Sequence, residues 1–180
     1  MLRVHFDDWG MINYKKAWDK QQVYFDGISD IKIENRHRTS GKPKIPENHL
    51  FFCEHPHVYT LGKNGHKENL LLDEKRMFEK GIDFYKINRG GDITYHGPGQ
   101  IMGYFIWDLE QLYTDIDKFL RELEGAIILT LAEYGIEGGR IKGLTGVWLD
   151  EDSPLKSRKI CAMGMRISRW VTMHGFALNV

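Results

Sequence analysis

The chain predicts an α+β (mixed α/β) fold, and three observations predict it. Several short segments alternate apolar and polar residues with a strand's period of two, and longer segments repeat apolar residues at helical spacing. Strand-like pieces group around a few helices without the regular βα alternation of a doubly wound sheet. At 180 residues, a single domain spanning 1–180 is expected, long enough to bury a substantial core.

Taken in order, Leu2–Phe6 alternates and reads as an opening strand. Gly10 and Asn13 precede a helix that places Tyr14, Ala17, Trp18, Gln21 and Phe25 on one face. Residues Arg36–Asn48 are polar, carry two prolines and a glycine, and read as an exposed loop. Leu50–Glu54 and Val58–Leu61 read as strands around a turn at His55-Pro56, and Asp73 caps a short helix to Lys80 that Gly81 stops. Ile82–Asn88 and Ile101–Asp108 read as strands flanking a glycine-rich loop. The clearest helix runs from Asp115 to Tyr134, with Ile116, Phe119, Leu120, Leu123, Ile127 and Leu131 as its apolar stripe. Thr114 and Asp117 are arranged like a capping box, and Gly135 is the stop. Short strands follow at Thr145–Leu149, Lys159–Met163, Met165–Ser168 and Val171–Asn179, the last interrupted near Gly175.

Composition narrows the function. Lys plus Arg number 25 and Asp plus Glu 25, a zero net charge that argues against a general nucleic-acid binder. No apolar run approaches the roughly 20 residues that span a bilayer. The opening Met1-Leu2-Arg3-Val4-His5 turns acidic rather than apolar, so no secretory leader is expected and a cytoplasmic location is. Cys53 and Cys161 stand far apart, which implies neither a disulfide framework nor a paired-cysteine zinc site.

The segment Arg89-Gly-Gly-Asp-Ile-Thr-Tyr-His-Gly-Pro-Gly-Gln100 carries the most chemistry. Gly90 and Gly91 remove side chains where a ligand can approach the backbone. Arg89 can offer forked donors to an anionic or carbonyl group, and His96 can donate a hydrogen bond or shuttle a proton. The same residues also suit a tight structural turn in which Arg89 and His96 satisfy local carbonyls. The Lys-Ser/Thr ending of a phosphate loop is missing, and the dinucleotide fingerprint does not fit.

Lys159 enters an apolar strand, where partial desolvation would lower its pKa and let it touch a reacting carbonyl or thiol; a surface lysine at a strand end is the other reading. Cys161, two residues on and on the same strand face, is either a thiol activated by that ammonium or a small buried residue. Cys53 reads as core. His55, His57, His66, His96 and His174 lack the spacing of a known zinc module, and no bound metal is expected. His174-Gly-Phe-Ala177 reads as a small-residue break that points backbone N–H groups into a pocket, or as a β-bulge.

Four motifs occur in one order: the Arg89–Gln100 loop, Gly143-Leu-Thr-Gly-Val-Trp148, Arg158-Lys-Ile-Cys-Ala-Met-Gly164 and Ser168-Arg-Trp-Val-Thr-Met-His-Gly-Phe-Ala-Leu-Asn179. Together they closely resemble the lipoate-biosynthesis octanoyltransferase family (octanoyl-acyl-carrier-protein:protein N-octanoyltransferases), over essentially the whole chain. The resemblance implies the mixed sheet flanked by helices of the biotin- and lipoate-protein ligases. It implies transfer of an octanoyl group from the phosphopantetheine thioester of acyl carrier protein to an enzyme cysteine, and then to a lysine of a lipoyl domain. The implied acceptors are the lipoyl domains of 2-oxoacid dehydrogenase complexes and the glycine cleavage H protein. Neither ATP nor a metal nor another cofactor is implied, and neither nucleic acid nor membrane is an implied partner.

By the same resemblance, Arg89, Gly90, Gly91, Asp92, Ile93, Thr94, Tyr95 and His96 shape the substrate site. Ala162, Met163, Gly164, Gly175, Phe176 and Ala177 complete the acyl pocket, and Lys159 lowers the pKa of the thiol. The family's nucleophilic cysteine stands in a Pro-Cys-Gly element shortly after the motif that ends here at Leu178-Asn179-Val180. It is therefore expected beyond Val180, in a chain expected to be truncated. The rival readings are an inactive acyl- or lipoyl-domain-binding fragment, an ATP-dependent lipoate or biotin ligase on the same fold, which the Gly-Pro-Gly form of the loop opposes, and Cys161 as an alternative nucleophile.

Overall fold

The structure, a computed structural model, describes residues 3–180. Fourteen elements, two of them single turns of 3₁₀ helix, form two sheets and three α-helices. Strand β1 (Val4–Met11) leads to helix α1 (Tyr14–His37), then β2 (Asn48–Glu54) and β3 (Val58–Leu61). Helix α2 (Glu74–Glu79), β4 (Asp83–Lys86), β5 (Ile93–His96) and β6 (Ile101–Ile106) follow. Helix α3 (Ile116–Glu133), β7 (Val147–Leu149), β8 (Arg158–Ser168) and β9 (Val171–Leu178) complete the order.

The large sheet has the order β1-β2-β6-β9-β8-β7, with β1 parallel to β2 and the other neighbours antiparallel. The small sheet has the order β4-β3-β5, with β3 parallel to β4 and antiparallel to β5. Strand β9 lies third from the β7 edge, and all eight of its residues are buried. Alternation along it feeds two cores. Met173 and Ala177 join Ala17, Phe25 and Ile28 of α1, while Phe176 and Leu178 join Phe119, Leu123, Ile127 and Leu131 of α3. The mixed sheet flanked by helices is as expected.

Helix α1 begins where Asn13 accepts from the backbone N–H of Lys15 at 3.0 Å, and its buried face includes Tyr14, Ala17, Gln21 and Phe25. It runs on to His37, so Arg36 and His37 belong to the helix rather than to the loop. The reason lies in Lys32, buried a turn earlier and tied to Asp108 and, at 2.9 Å, to Glu110. Long-range pairing thus holds a helical turn that composition alone marks as loop. Leu2, placed in the opening strand by sequence, lies outside the described residues; the strand itself runs Val4–Met11.

Three further expectations are corrected. Asp115, not Thr114, caps α3, accepting from Lys118 N at 2.9 Å. The stretch Lys159–Ser168 is one unbroken strand, because every residue from Cys161 to Ser168 pairs with β9. Strand β9 likewise runs through Gly175, although His174 takes a positive φ of 67° and the β6 ladder stops at Gly175. Among the described residues, no helix is long and apolar enough to cross a membrane.

Candidate active site

The two sheets meet at a narrow cavity of about 40 Å³. One wall is β8 and β9, from Ala162 to Gly164 and from His174 to Ala177; the opposite wall is Arg89, Thr94 and His96. Tyr14 of α1 and Met102 and Tyr104 of β6, all buried, close it on the remaining side.

The walls come this close because of small residues. A Cβ on Gly164 would stand 2.8 Å from the carbonyl oxygen of Gly90 and 3.2 Å from Cδ of Arg89. Only glycine permits that approach, and there the backbone N–H of Gly90 bonds the carbonyl of Met165 at 3.0 Å, tying the small sheet's loop to β8.

Arg89 is 7% exposed. Its Nη2 donates to Thr60 O at 2.9 Å, Thr60 Oγ1 at 2.8 Å and Thr94 Oγ1 at 2.8 Å, and Nη1 donates to Gly90 O at 2.9 Å. Of the two sequence readings, this geometry realises the turn-bracing one, though the guanidinium still borders the cavity. Burial lowers its pKa from the ordinary arginine value.

His96 continues the network. Gln100 Oε1 stands 2.7 Å from Nδ1 and the Thr60 hydroxyl 3.2 Å from Nε2. Gln100 Nε2 in turn donates to Tyr95 O and, at 2.8 Å, to Asn179 Oδ1, so Gln100 Oε1 is the acceptor for a proton on His96 Nδ1. Burial drives the His96 pKa down to about 3, with Gln100 opposing. Buried and with both nitrogens engaged, His96 forms part of the cavity wall. Asn179 Nδ2 reaches Lys159 O at 3.3 Å, so amides link the wall to the start of β8.

His174 is also neutral, its pKa pushed by burial to about 3. Its Nε2 lies 3.4 Å from Asn88 Oδ1, while Nδ1 is buried without a partner among the described residues. Tyr14 stacks on His96 with ring centroids 5.9 Å apart and an interplanar angle of 8°. The cavity is therefore lined by uncharged groups apart from Arg89.

The sequence-predicted residues divide. Arg89, Thr94, His96, Ala162, Met163, Gly164, Gly175, Phe176 and Ala177 line the cavity. Gly90 and Gly91 stand behind the wall, where a Cβ on the facing Gly62 would lie 2.3 Å from Gly91 O. Asp92 accepts from Ile93 N at 2.7 Å, Asn69 Nδ2 and His66 N, and these bonds hold its carboxyl below the usual carboxylate range. Ile93 pairs with Leu61, and Tyr95 turns outward with its hydroxyl 2.5 Å from His57 Nδ1. Sequence reasoning missed Tyr14, Met102 and Tyr104 as walls. Tyr14 was visible only as the first residue of a helix's apolar face.

Lys159 does not line the cavity. It lies three residues from Ala162, about 10 Å along the strand. Its side chain shares the α3 side with Cys161, whereas Ala162 pairs with Ala177 on the α1 side. Its Nζ sits 4.7 Å from the Trp148 ring centroid, and no hydrogen bond to it occurs among the described residues. Partial desolvation lowers its pKa, with Cys161 and then Glu124 opposing.

Neither thiol looks reactive. Cys161 is fully buried in the α3 core, and burial and then Glu124 push its thiol up to about 12, with only Lys159 opposing. Cys53 is raised to about 12 by burial in the α1 core. Among the described residues, no group of three or more His, Cys, Asp or Glu side chains is placed to hold a metal ion.

The fold and its cavity define a class. Residues 17–180 match the lipoyl protein ligase A/B catalytic domain. The structure is similar to a bipartite lipoate protein ligase of Thermoplasma acidophilum with a TM-score of 0.67 at 18% identity, a likeness of fold that covers 100% of this chain and 62% of that one. Within the class, the chain is 61% identical to an octanoyltransferase of Flavobacterium johnsoniae over 99% of its length and 75% of that protein's. It is 57% identical to an octanoyltransferase of Cytophaga hutchinsonii over 98% of its length and 72% of that protein's. The chain belongs to the octanoyltransferase family.

Proposed function

We propose that the cavity between the two sheets holds the octanoyl chain during transfer from acyl carrier protein to a lysine of a lipoyl domain, the first step of protein lipoylation. The observation that carries this reading is the convergence of three distant motifs on one cavity, bordered by Arg89 and His96, Ala162 and Gly164, and Gly175 and Ala177. Apart from Arg89 its lining is uncharged, which suits an alkyl chain.

The chemistry proposed is two acyl transfers. A thiolate attacks the carbonyl carbon of the donor thioester, the bond to the phosphopantetheine sulfur breaks, and that sulfur leaves with a proton. The neutral amine of the acceptor lysine then attacks the enzyme thioester, forming an amide and returning the proton to the enzyme sulfur. In this reading Lys159 is the ammonium beside the thiolate. The thiol is the family's cysteine that follows the Leu178-Asn179 motif, because Cys53 and Cys161 are buried with pKa values pushed to about 12. The 2-oxoacid dehydrogenase lipoyl domains and the glycine cleavage H protein are the proposed acceptors.

The test is an acyl-transfer assay with the full-length gene product, octanoyl-acyl carrier protein and apo lipoyl domain, without ATP. A mass gain of one octanoyl group on the acceptor lysine is the expected result. A gain seen only with free octanoate and ATP would establish the ligase reading instead, and no gain under either condition the binding-module reading.

A further inference from the structure

A buried carboxylate that no motif singled out fastens the turn against which Lys159 lies. Glu124 lies in the middle of α3 on its apolar face, flanked by Leu123 and Ile127, and is fully buried. It accepts from Arg140 Nε at 2.9 Å and from the backbone N–H of Gly146 at 2.8 Å, and it forms an ion pair with Arg121 Nη1 at 2.9 Å. Gly146 has a φ of 115°, and a Cβ there would stand 2.5 Å from Cys161 O and 3.4 Å from Cδ and Cε of Lys159. The turn that Glu124 fastens is thus the surface on which the aliphatic stem of Lys159 rests.

A neutral amide could fasten that turn without desolvating a charge, and both arginines reach solvent on their own. The groups facing Lys159 are Glu124 from α3, Cys161 from its own strand and the uncharged Trp148 ring from β7; Arg121 and Arg140 approach through Glu124, and Arg158 pairs instead with Asp150.

We propose that Glu124 is a positioning residue for Lys159: it locks the Gly146 turn against the lysine's stem, and its charge holds the ammonium over Trp148. The proposal rests on the reading of Lys159 as the ammonium beside the reacting thiolate. The carboxylate also favours the protonated form of Lys159, opposing the effect of burial.

The experiment titrates Lys159 in the full-length enzyme by NMR of the ¹³C-dimethylated amine, with Lys159→Arg to assign the signal. Glu124→Gln keeps the shape and removes the charge. The Lys159 titration is expected to fall by about half a pH unit, and kcat for transfer by about tenfold with KM little changed. Glu124→Asp is expected to restore the titration but not the rate, because the shorter side chain pulls on Gly146. An unchanged titration and rate in folded Glu124→Gln enzyme would overturn the proposal. Should that variant not fold, Arg121→Ala decides: freeing the carboxylate of one cation raises the Lys159 titration, and no change overturns the proposal. Full transfer by Lys159→Met would instead overturn the role given to Lys159, which the NMR titration distinguishes from failure of the Glu124 tie.

Discussion

Arg89 and Lys159 are both cations drawn from the same set of motifs, and the molecule treats them in opposite ways. Arg89 is buried and spends its donors on Thr60, Thr94 and Gly90. Lys159 reaches solvent, makes no hydrogen bond through Nζ among the described residues, and rests its charge on an aromatic face. A cation tied to its neighbours by several hydrogen bonds holds a wall in place; one left unengaged remains free for chemistry.

The sharpest way to break this contrast is Lys159→Met. Transfer is expected to drop by about 10²- to 10⁴-fold, with a stability change within about 0.5 kcal/mol, read by steady-state kinetics and urea unfolding. A large stability loss would make Lys159 a structural residue as well. Arg89→Met should do the reverse. It strands the buried Thr60 carbonyl and the two hydroxyls, costing about 3 kcal/mol in the same urea titration, and activity should fall chiefly because the cavity loses its wall.

The wall's neutrality sets a pH dependence. His96 and His174 are held near 3 in the fold against about 6.5 when unfolded. Below that unfolded value the denatured chain binds protons that the fold refuses, so their stabilisation is complete above pH 6.5 and is lost as pH falls toward 3. Stability should drop by about 3 kcal/mol per pH unit between pH 6 and pH 4 from these two groups together. A flat profile would mean that the fold accepts the protons and that the wall carries charge. The smallest effect is expected from Thr60→Val, which removes only the hydroxyl shared by Arg89 and His96. It should cost about 1–2 kcal/mol and raise KM for the acyl donor more than it lowers kcat.

Elements with long local patterns were legible in the sequence. The Phe119–Leu131 stripe and the Tyr14–Phe25 face appear as expected because helical periodicity is a local property. Strand β5 was not legible: Ile93–His96 is four residues between glycines, and its strand geometry comes from pairing with β3. Nor did the chain announce that β2 and β3, separated by His55-Pro56, belong to different sheets. Most of the cavity's lining was visible through the motifs around its glycines and alanines. Tyr14, Met102 and Tyr104 were not, since ordinary core residues become walls only when two sheets are brought together. Glu124 was hidden for the opposite reason, as a charge inside an apolar stripe whose partners lie in a turn sixteen and twenty-two residues away.

The close contact of Gly164 with Gly90 has a consequence for how such a chain can evolve. The seam that joins the small sheet to the large one is also the rim of the cavity. A lineage selected for a bulkier cargo cannot enlarge the opening at this seam without loosening the joint that keeps the two sheets together. Changes of cargo are therefore channelled toward the far side, where Met102 can shrink without touching the seam.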